Sequence, residues 1–334
     1  MVTMADVARQ AGVSVSTVSH IVNGTRYVKE DTKKRVLAAI RETGYTPNSL
    51  ARSLATQNTH TIGLAISAMS NFYFADIVAA MESAARAAGF TLLLADTHDD
   101  PDEELQVIQA LHQRRVDGIL YAPSTGSAGP ALRYLAELSV PTVLVDRCAW
   151  SRFDQIGTEN VRATAHLTVH LAERGHARIG LLAGHQDVRT FAERTEGYRA
   201  GLAEAGITPD DALTVFGPPG EEFAARAVSQ LLALPDPPTA LISGNNHLTI
   251  EIIRALRARG IKVPDDMALA CFDDFEWADL FAPRLTAMAQ PIEAIGAGAV
   301  GLLLDRLAEP KRPVRTIRLD PVFAHRESCG CPPE

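Results

Sequence analysis

The sequence is poor in cysteine and has no long apolar run. Its four cysteines among 334 residues are too few for a disulfide framework. No segment reaches the ~18 uncharged apolar residues that a membrane-spanning helix requires, and the opening MVTMADVARQAGVS lacks the basic and apolar regions of a secretory signal. We therefore expect a cytoplasmic protein with free thiols, namely Cys148, Cys271, Cys329 and Cys331.

Sequence motifs for metals and cofactors are missing as well. The closing SCGCPPE has no second pair of ligand residues nearby in the sequence, so we expect no zinc site. No GxGxxG follows the first predicted strand, and there is no phosphate-binding loop with a lysine and no GxSxG turn. The acidic pair Asp273 and Asp274 lacks further metal ligands. An enzyme is therefore the weaker alternative, and we expect no cofactor.

Charge is distributed unevenly along the chain. The formal net charge is −8, but residues 1–60 carry eight lysines or arginines against four acidic residues, a net charge of +4. The remaining residues therefore carry −12. A small cationic segment attached to an acidic body indicates a module that binds a polyanion such as nucleic acid.

Three short helical patterns occupy residues 1–46. Thr3 and Ser14 are placed to cap the first and second helices, and the third runs from about Asp31 to Thr43. A glycine follows each pattern, where a left-handed residue would end the helix: Gly12, Gly24 and Gly44. Two helices joined by a tight turn, with a third as support, are typical of a helix-turn-helix.

The second of these helices, within GVSVSTVSHIVNG, has one apolar and one polar side. The spacing predicts that Val15, Val18, Ile21 and Val22 point inward, and in the third helix Val36, Leu37 and Ile40. The opposite side carries hydroxyl, amide and imidazole groups that can reach base edges in a major groove, while nearby cations hold phosphates. A solvated surface is the alternative interpretation. The polar side consists of Ser16, Thr17, His20 and Asn23.

From His60 onward, short apolar strand patterns alternate with helix-length segments, which predicts parallel sheets covered on both faces. The alternation is interrupted at residues 147–162, so we predict two doubly wound subdomains with a ligand crevice at the carboxyl ends of their strands. A late helix and strand could return the chain to the first subdomain. The strand candidates are TIGLAIS, FTLLLADT, DGILYAP, TVLVDR, RIGLLAG, ALTVFG, TALISG and MALACFDD.

Ordered motifs along the whole chain resemble one protein family. They include TMADVARQAGVSVSTVSHIVNG, RRVDGIL, VPTVLVDR, LAERGHARIGLLAG, RTEGYRAGL, PDPPTALISGNN, VPDDMALACFDD and PRLTAMAQP. This set resembles the lactose-repressor/galactose-repressor family of bacterial transcription factors, especially its purine- and ribose-repressor branch. The resemblance implies an all-α helix-turn-helix DNA-binding head and an α/β two-lobed body like a periplasmic binding protein, with two doubly wound parallel sheets.

The resemblance also implies boundaries for these parts. The head would occupy residues 1–46 and a hinge helix with linker residues 47–59. The first subdomain would comprise residues 60–160 and 291–323, the second residues 161–290, and the tail residues 324–334.

DNA contacts in the head and hinge are implied by the same resemblance. Leu54 would be a wedge inserted into the minor groove of a palindromic site, with ordinary helix packing as the alternative. The hinge helix is too short to persist alone in water, so it would fold only with a partner. The implied DNA-binding residues are Thr3, Val15, Ser16, Thr17, Ser19, His20, Asn23, Arg26, Tyr45, Asn48, Ala51, Leu54 and Ala55.

The body is expected to bind a small-molecule effector. Arg194 matches the family's ligand-binding arginine, and Phe72 and Phe74 could stack on a sugar or base, or simply pack. Trp277 could cover the crevice or pack. The full set of implied effector-binding residues is Phe72, Phe74, Ser124, Asp146, Arg194, Asn245, Asn246, Asp273, Trp277 and Gln290.

Two departures from the family pattern bear on the ligand. Cys271 stands where the family usually has glycine and could narrow the pocket floor or be inert, while Val188 and Arg189 offer no clear reader of a purine edge. We therefore expect a sugar or sugar acid, with a purine corepressor as the alternative. The expected protein is a repressor of carbohydrate genes that binds a palindromic operator. We expect a dimer, because the sequence shows no leucine-heptad tail of the kind that builds a tetramer. An exported sugar receptor would leave the basic head unexplained.

Overall fold

The structure, a computed structural model, describes residues 2–23, 26–45, 58–66, 71–124, 129–148, 150–218 and 220–332. Contacts divide the chain into two compact units, Met1–Thr59 and His60–Glu334. Most of the predicted hinge lies outside the described residues, including Asn48, Ala51, Leu54 and Ala55.

The amino-terminal unit contains three described helices, α1 (Met4–Ala11), α2 (Val15–Asn23) and α3 (Glu30–Thr43). Thr3 caps α1, because its hydroxyl accepts from the Asp6 amide while the Asp6 carboxylate accepts from the Thr3 amide. The Ser14 hydroxyl accepts from the Thr17 amide at 3.2 Å. Gly12 and Gly44 adopt the left-handed φ of +63° and +65° that ends a helix, as predicted, whereas Gly24 lies outside the described residues.

The core of this unit differs from the prediction at two positions. Val15 is 47% exposed and Leu37 is 42% exposed, so the prediction that both point inward is wrong. Val15 is the first residue of α2, and Leu37 lies about 100° around α3 from its buried neighbour Val36. The buried residues are Val7, Ala8, Ala11, Val18, Val36, Ala39 and Tyr45.

The second unit has two lobes. Strands of the first lobe are β1 (Thr61–Ile66), β2 (Thr91–Asp96), β3 (Gly118–Tyr121), β4 (Thr142–Val145), β5 (Asp154–Thr158) and β11 (Thr316–Leu319). They form one parallel sheet in the order β11-β5-β4-β3-β1-β2. The helices of this lobe are α4 (Phe72–Ala87), α5 (Pro101–Gln113), α6 (Pro130–Glu137) and α11 (Ile292–Ala308).

The second lobe repeats this architecture. Its strands are β6 (Ile179–Ala183), β7 (Thr214–Phe216), β8 (Ala240–Ser243), β9 (Ala268–Phe272), β10 (Thr286–Ala289) and β12 (Val322–Ala324), in the order β12-β10-β9-β8-β6-β7. The helices are α7 (Val161–Glu173), α8 (Arg189–Glu204), α9 (Glu221–Leu232) and α10 (Asn246–Arg257), with a 3-10 turn at Asp211–Leu213. Apolar side chains cover both faces of each sheet. Among the described helices, none combines the length and apolar character required to cross a lipid bilayer.

The two-lobed fold is as predicted, with three differences of detail. β5 lies inside the stretch that we interpreted as a break. It was not predicted because its sequence, DQIGT, lacks the apolar run that marks the neighbouring strands. β12 pairs antiparallel with β10, so the second sheet is not wholly parallel. Residues 322–323, predicted for the first subdomain, therefore belong to the second sheet, and part of the predicted tail packs in the core of the same lobe through Cys329 and Cys331.

The chain passes between the lobes after β5, after β10 and after β11. Thr158 and Gln290 stand at two of these passages. Immediately beyond the first passage, α7 packs closely against α8. The helices are so close that a Cβ on Gly201 would come within 2.6 Å of the Ala165 carbonyl oxygen. This close helix pair holds Asn160, which precedes α7, beside Arg194 of α8.

Candidate ligand cleft and nucleic-acid interface

The helix α2 presents a row of short polar side chains. Ser16 is exposed, while Thr17, Ser19 and His20 are half-buried. The Ser14 hydroxyl oxygen lies 2.9 Å from that of Ser16 and 2.8 Å from that of Thr17. The same unit carries exposed cations, and it therefore combines groups suited to base edges with groups suited to phosphates. The cations are Arg9, Arg26, Lys29, Lys33, Lys34, Arg35 and Arg41.

Other predicted DNA contacts fall in different surroundings. Exposed Val15 belongs to the outer surface of α2, and Thr3, which caps α1, is exposed as well. Tyr45 is only 8% exposed and packs in the core of the head, so its ring serves packing in the structure. The Asn23 side chain is outside the described part.

Between the two lobes of the body lies a cavity of about 320 Å³. The first lobe contributes residues that follow its strands and open α4, and the second lobe contributes residues around the start of α8 and the ends of β8 and β9. Seven of the predicted effector residues line the cavity: Phe74, Ser124, Asp146, Arg194, Asn245, Asp273 and Gln290.

Arg194 is fixed in the second-lobe wall. Its Nε donates to the Asn160 side-chain oxygen at 2.9 Å, and its Nη1 donates to the Gly244 carbonyl oxygen at 2.6 Å. Its Cζ lies 3.7 Å from the centroid of the Phe272 ring, and its Nη2 lies 3.6 Å from Asp273 Oδ1. The guanidinium is thus held in one orientation, which reduces the entropy lost when it binds a ligand oxygen.

Asp146 and Tyr73 form the polar part of the first-lobe wall. The Tyr73 hydroxyl donates to Asp146 Oδ1 at 2.8 Å. Burial raises the pKa of Asp146 above its ordinary value, against the opposing effect of Arg147 and Arg194, and burial also raises the pKa of Tyr73. A buried carboxyl group in the cavity wall is well suited to accept a hydrogen bond from a ligand hydroxyl.

Gln290 connects the cavity to the passage between the lobes. Its Nε2 donates to Asp273 Oδ1 at 2.6 Å, and its Oε1 accepts a hydrogen bond from the Thr158 hydroxyl. Asp273 belongs to the second lobe and Thr158 ends a strand of the first. A ligand that contacts Gln290 therefore acts on residues of both lobes.

Arg147 was missed by the sequence reasoning, although it follows Asp146 directly. Its Nη1 donates to Asp99 Oδ1 at 2.6 Å and to the carbonyl oxygens of Pro123 and Ser124 at 3.0 Å. Within the described part of the chain, Arg147 Nε is buried without a hydrogen-bond partner. Buried polar atoms in a cavity wall point to a ligand or water that satisfies them.

Three predicted effector residues do not line the cavity. Asn246 is fully buried at the start of α10, whereas the preceding Asn245 lines the cavity and caps that helix. Phe72 lies edge-on to Trp277, with ring centroids 5.3 Å apart, so this pair joins the lobes by packing. The ring that lines the cavity beside Phe74 is Tyr73, which no periodic signal distinguishes from Phe72.

The three residues singled out as departures from the family pattern have different positions. Val188 lines the cavity, while Arg189 is more than half exposed and pairs with Glu193. Cys271 is fully buried in the second-lobe core and is not a lining residue, so the structure does not support a thiol at the pocket floor. Burial raises the pKa of the Cys271 thiol to about 12.

Besides Tyr73 and Arg147, the lining residues that sequence reasoning did not select are Asn71, Asp99, His185, Val188, Thr190, Phe191, Pro218 and His247.

Comparisons with family models match both units. Residues 3–48 match the model of bacterial regulatory proteins of the lacI family, and residues 168–329 match a periplasmic binding protein-like domain.

Individual proteins are similar over nearly the full chain. The ribose operon repressor of Escherichia coli (strain K12) is 35% identical over 333 residues, which cover 98% of this chain and 100% of that protein. The HTH-type transcriptional repressor PurR of Photobacterium profundum is 34% identical over 330 residues, with 98% of each chain covered. Among solved structures, the lac repressor dimer bound to operator and the anti-inducer ONPF has a TM-score of 0.87 at 26% identity, covering 98% of this chain and 99% of that one. The complex of the transcriptional regulator CelR with cellobiose has a TM-score of 0.75 at 30% identity, covering 98% and 100%.

Proposed function

Because the chain belongs to the lacI family of bacterial regulatory proteins, we propose that it represses transcription by binding a palindromic operator as a dimer, under control of a neutral monosaccharide in the cleft. Members of this family are DNA-binding transcriptional repressors and not enzymes. This chain is therefore also a DNA-binding repressor and not an enzyme. The observation that carries the proposal is the polar cavity between the lobes, with fixed Arg194 on one wall and buried Asp146 on the other.

The chemistry of the cavity favours a polyhydroxylated ligand. Carboxylates accept from ligand hydroxyls, and guanidinium and amide groups donate to them, while the Phe74 ring offers an apolar face for a sugar ring. Three carboxylates, of Asp99, Asp146 and Asp273, stand against the two guanidiniums, so a neutral sugar is favoured over a sugar acid. The cavity of about 320 Å³ is at the small end of the ~300–1,000 Å³ typical of ligand pockets. This size favours a monosaccharide over a disaccharide.

A purine ligand is the second candidate, because a relative named PurR is 34% identical. Against it, the wall segment with Val188 supplies an apolar group and Arg189 is engaged by Glu193, so neither reads a purine edge. We expect the regulated genes to belong to carbohydrate uptake or metabolism, and the protein to act in the cytoplasm, where operator DNA is found.

Control of DNA binding follows from the position of the ligand between the lobes. A ligand that binds one lobe orientation more tightly shifts the population toward it, and a coupling free energy of ~1–3 kcal/mol changes operator affinity by ~5–150-fold. Two α2 helices in the dimer would enter successive major grooves of the palindrome. Leu54, outside the described residues, is proposed as the minor-groove wedge on the resemblance alone.

A thermal-shift screen of the full chain tests the ligand class. Monosaccharides, sugar acids and purine bases are added separately, since a ligand at ~100 times its Kd stabilises the folded state by ~2.7 kcal/mol. A monosaccharide is expected to raise the melting temperature, and Arg194→Ala should abolish the increase. Stabilisation by a purine base alone, or by sugar acids but no neutral sugar, would reject the proposed ligand.

A further inference from the structure

Four potential metal ligands meet in the second lobe, three of them near one another in sequence and the fourth more than 150 residues earlier. His170 lies on α7, His325 directly follows β12, and Cys329 and Cys331 lie in the turn that closes the described chain. One donor atom from each of these side chains lies within 4.8 Å of all the others. None of the four lines the ligand cleft, so this cluster is separate from the site of the proposed function.

The distances within the cluster are close to those of a tetrahedral site. Cys329 Sγ lies 3.3 Å from Cys331 Sγ, and Cys331 Sγ lies 3.7 Å from His170 Nε2. With Zn–S bonds of about 2.3 Å and Zn–N bonds of about 2.0–2.1 Å, tetrahedral coordination places ligand atoms about 3.3–3.8 Å apart. To reach this geometry, the two sulfur atoms move apart by about 0.5 Å and the widest separation contracts by about an ångström.

The backbone around the two cysteines is well anchored. The Ser328 hydroxyl donates to the Leu269 carbonyl oxygen at 2.6 Å and accepts from the Thr286 amide at 2.8 Å. Gly330 has φ of +86°, a conformation that glycine adopts without strain, and it turns the chain so that both neighbouring sulfur atoms meet. This anchoring places Cys329 and Cys331 before any metal is bound, and both are at least 96% buried.

A neighbouring hydroxyl also suits a metal-bound sulfur. The Thr286 hydroxyl has two acceptors within reach, the Arg326 carbonyl oxygen at 2.9 Å and Cys329 Sγ at 3.3 Å, so it can turn its proton to the sulfur. Hydrogen bonds from surrounding groups to ligand atoms orient them and stabilise the thiolate form. The Phe323 ring packs against both imidazoles, with centroids 5.0 Å from His170 and 5.5 Å from His325. Apolar packing on this side limits access of water to the cluster.

We propose that His170, His325, Cys329 and Cys331 bind one Zn²⁺ as a closed structural site. Two thiols lose their protons to solvent on binding, so two thiolates balance the charge of the ion and two neutral imidazoles complete four-coordination. Two-cysteine, two-histidine sets are typical of structural zinc, and all four positions are occupied by protein atoms, which leaves none for a substrate. The site fastens the closing residues and the end of β12 to α7.

This proposal differs from the expectation of no zinc site. That expectation considered ligand pairs near SCGCPPE in the sequence, whereas the fold supplies His170 from a helix more than 150 residues earlier. The two alternatives to a metal site are a packing cluster of neutral side chains around Phe323 and a disulfide between Cys329 and Cys331.

Metal binding by the full chain, purified without a polyhistidine tag, tests the proposal. Protein is stripped with a chelator, kept reduced with a phosphine, and titrated with Zn²⁺ or Co²⁺. We expect one equivalent of either metal per chain, a rise in melting temperature with Zn²⁺, and the visible d–d and thiolate-to-metal bands of tetrahedral Co²⁺. No stoichiometric uptake by the reduced protein would overturn the proposal and leave the packing cluster or the disulfide.

Matched variants assign the ligands. Cys331→Ser and His170→Gln are expected to lose at least tenfold in Zn²⁺ affinity and to weaken the thiolate band or shift the Co²⁺ spectrum. Cys148→Ser and His98→Gln alter a cysteine and a histidine in the first lobe, away from the cluster, and should bind as the wild type does. Equal binding by all four variants would overturn the assignment. X-ray absorption of the wild-type zinc protein needs no variant, and any ligand set other than two sulfur and two nitrogen atoms contradicts the proposal.

Discussion

Gln290 donates a hydrogen bond of 2.6 Å to Asp273 at the point where the chain leaves the second lobe for the first. Its side-chain oxygen accepts from Thr158, where the chain makes the opposite passage. Residues that line the cavity are therefore bonded directly to the connections between the lobes. This arrangement gives a ligand a physical means to favour one lobe orientation, which is the basis of the proposed control of DNA binding.

Arg194→Ala is expected to abolish ligand binding and to destabilise the body. Removing the guanidinium leaves the Asn160 side-chain oxygen and the Gly244 carbonyl oxygen without their donor, at about 1–3 kcal/mol for each unsatisfied buried group. Urea unfolding followed by tryptophan fluorescence measures the change, because both tryptophans, Trp150 and Trp277, lie in the body. Arg189→Ala, on the same helix but largely exposed, is the control and should keep ligand binding.

Asp146→Asn is expected to make stability less dependent on pH. Because burial raises the folded pKa of Asp146 above its unfolded value, the ionised carboxylate destabilises the fold above that folded pKa, and the penalty disappears below the unfolded pKa. The variant should therefore equal or exceed the wild type in unfolding free energy at about pH 7, and the advantage should shrink toward about pH 4. An advantage that grows on acidification would contradict the stated cause.

Arg318→Met is expected to weaken the contact between the lobes. Arg318, on β11 of the first lobe, donates to both carboxylate oxygens of Glu193 on α8 of the second, at 3.0 and 2.7 Å. Glu193 is 5% exposed, so loss of this partner should lower the unfolding free energy by about 1–3 kcal/mol. Arg315→Met is the control, because it breaks an exposed ion pair with Asp305 near the same strand. It should change the unfolding free energy by less than about 1 kcal/mol.

Gly201→Ala is expected to destabilise the body by about 1–3 kcal/mol, since the new Cβ would lie 2.6 Å from the Ala165 carbonyl oxygen and force α7 away from α8. The matched substitution Gly301→Ala, also within a helix, meets no atom within 4 Å among the described residues. It should be neutral or stabilise by up to about 1 kcal/mol, because alanine favours the helix. Equal effects of the two substitutions, measured by urea unfolding, would count against close helix packing as the cause.

The head and the lobes were predictable because their signals are local and periodic, whereas seven of the lining residues of the cleft were implied by the family resemblance. Capping hydroxyls, terminal glycines and buried apolar strands each report directly on backbone geometry, as at Thr3 and Gly12. The strand ends that carry Asp146 and Asp273 could be placed in the same way, since parallel strands bring their carboxyl ends to one edge.

Other features depend on contacts that no local pattern encodes. Tyr73 and Phe72 are adjacent aromatics, and only the rotation of α4 decides which one faces the cavity. β5 lacks an apolar run, and its membership of the sheet comes from its neighbours β4 and β11. The meeting of His170 with Cys331 is likewise a product of tertiary packing between distant segments.

Fluorescence anisotropy with a palindromic duplex selected from a random pool tests the central claim most directly. The full chain is titrated into the duplex at fixed salt, with and without the sugar that stabilises it, beside Arg194→Ala. We predict a preference for the selected duplex over random DNA that falls steeply as salt rises, and an affinity that the sugar changes by at least fivefold in the wild type but not in the variant. Equal affinity for selected and random DNA, or the same sugar response in Arg194→Ala, would contradict the account.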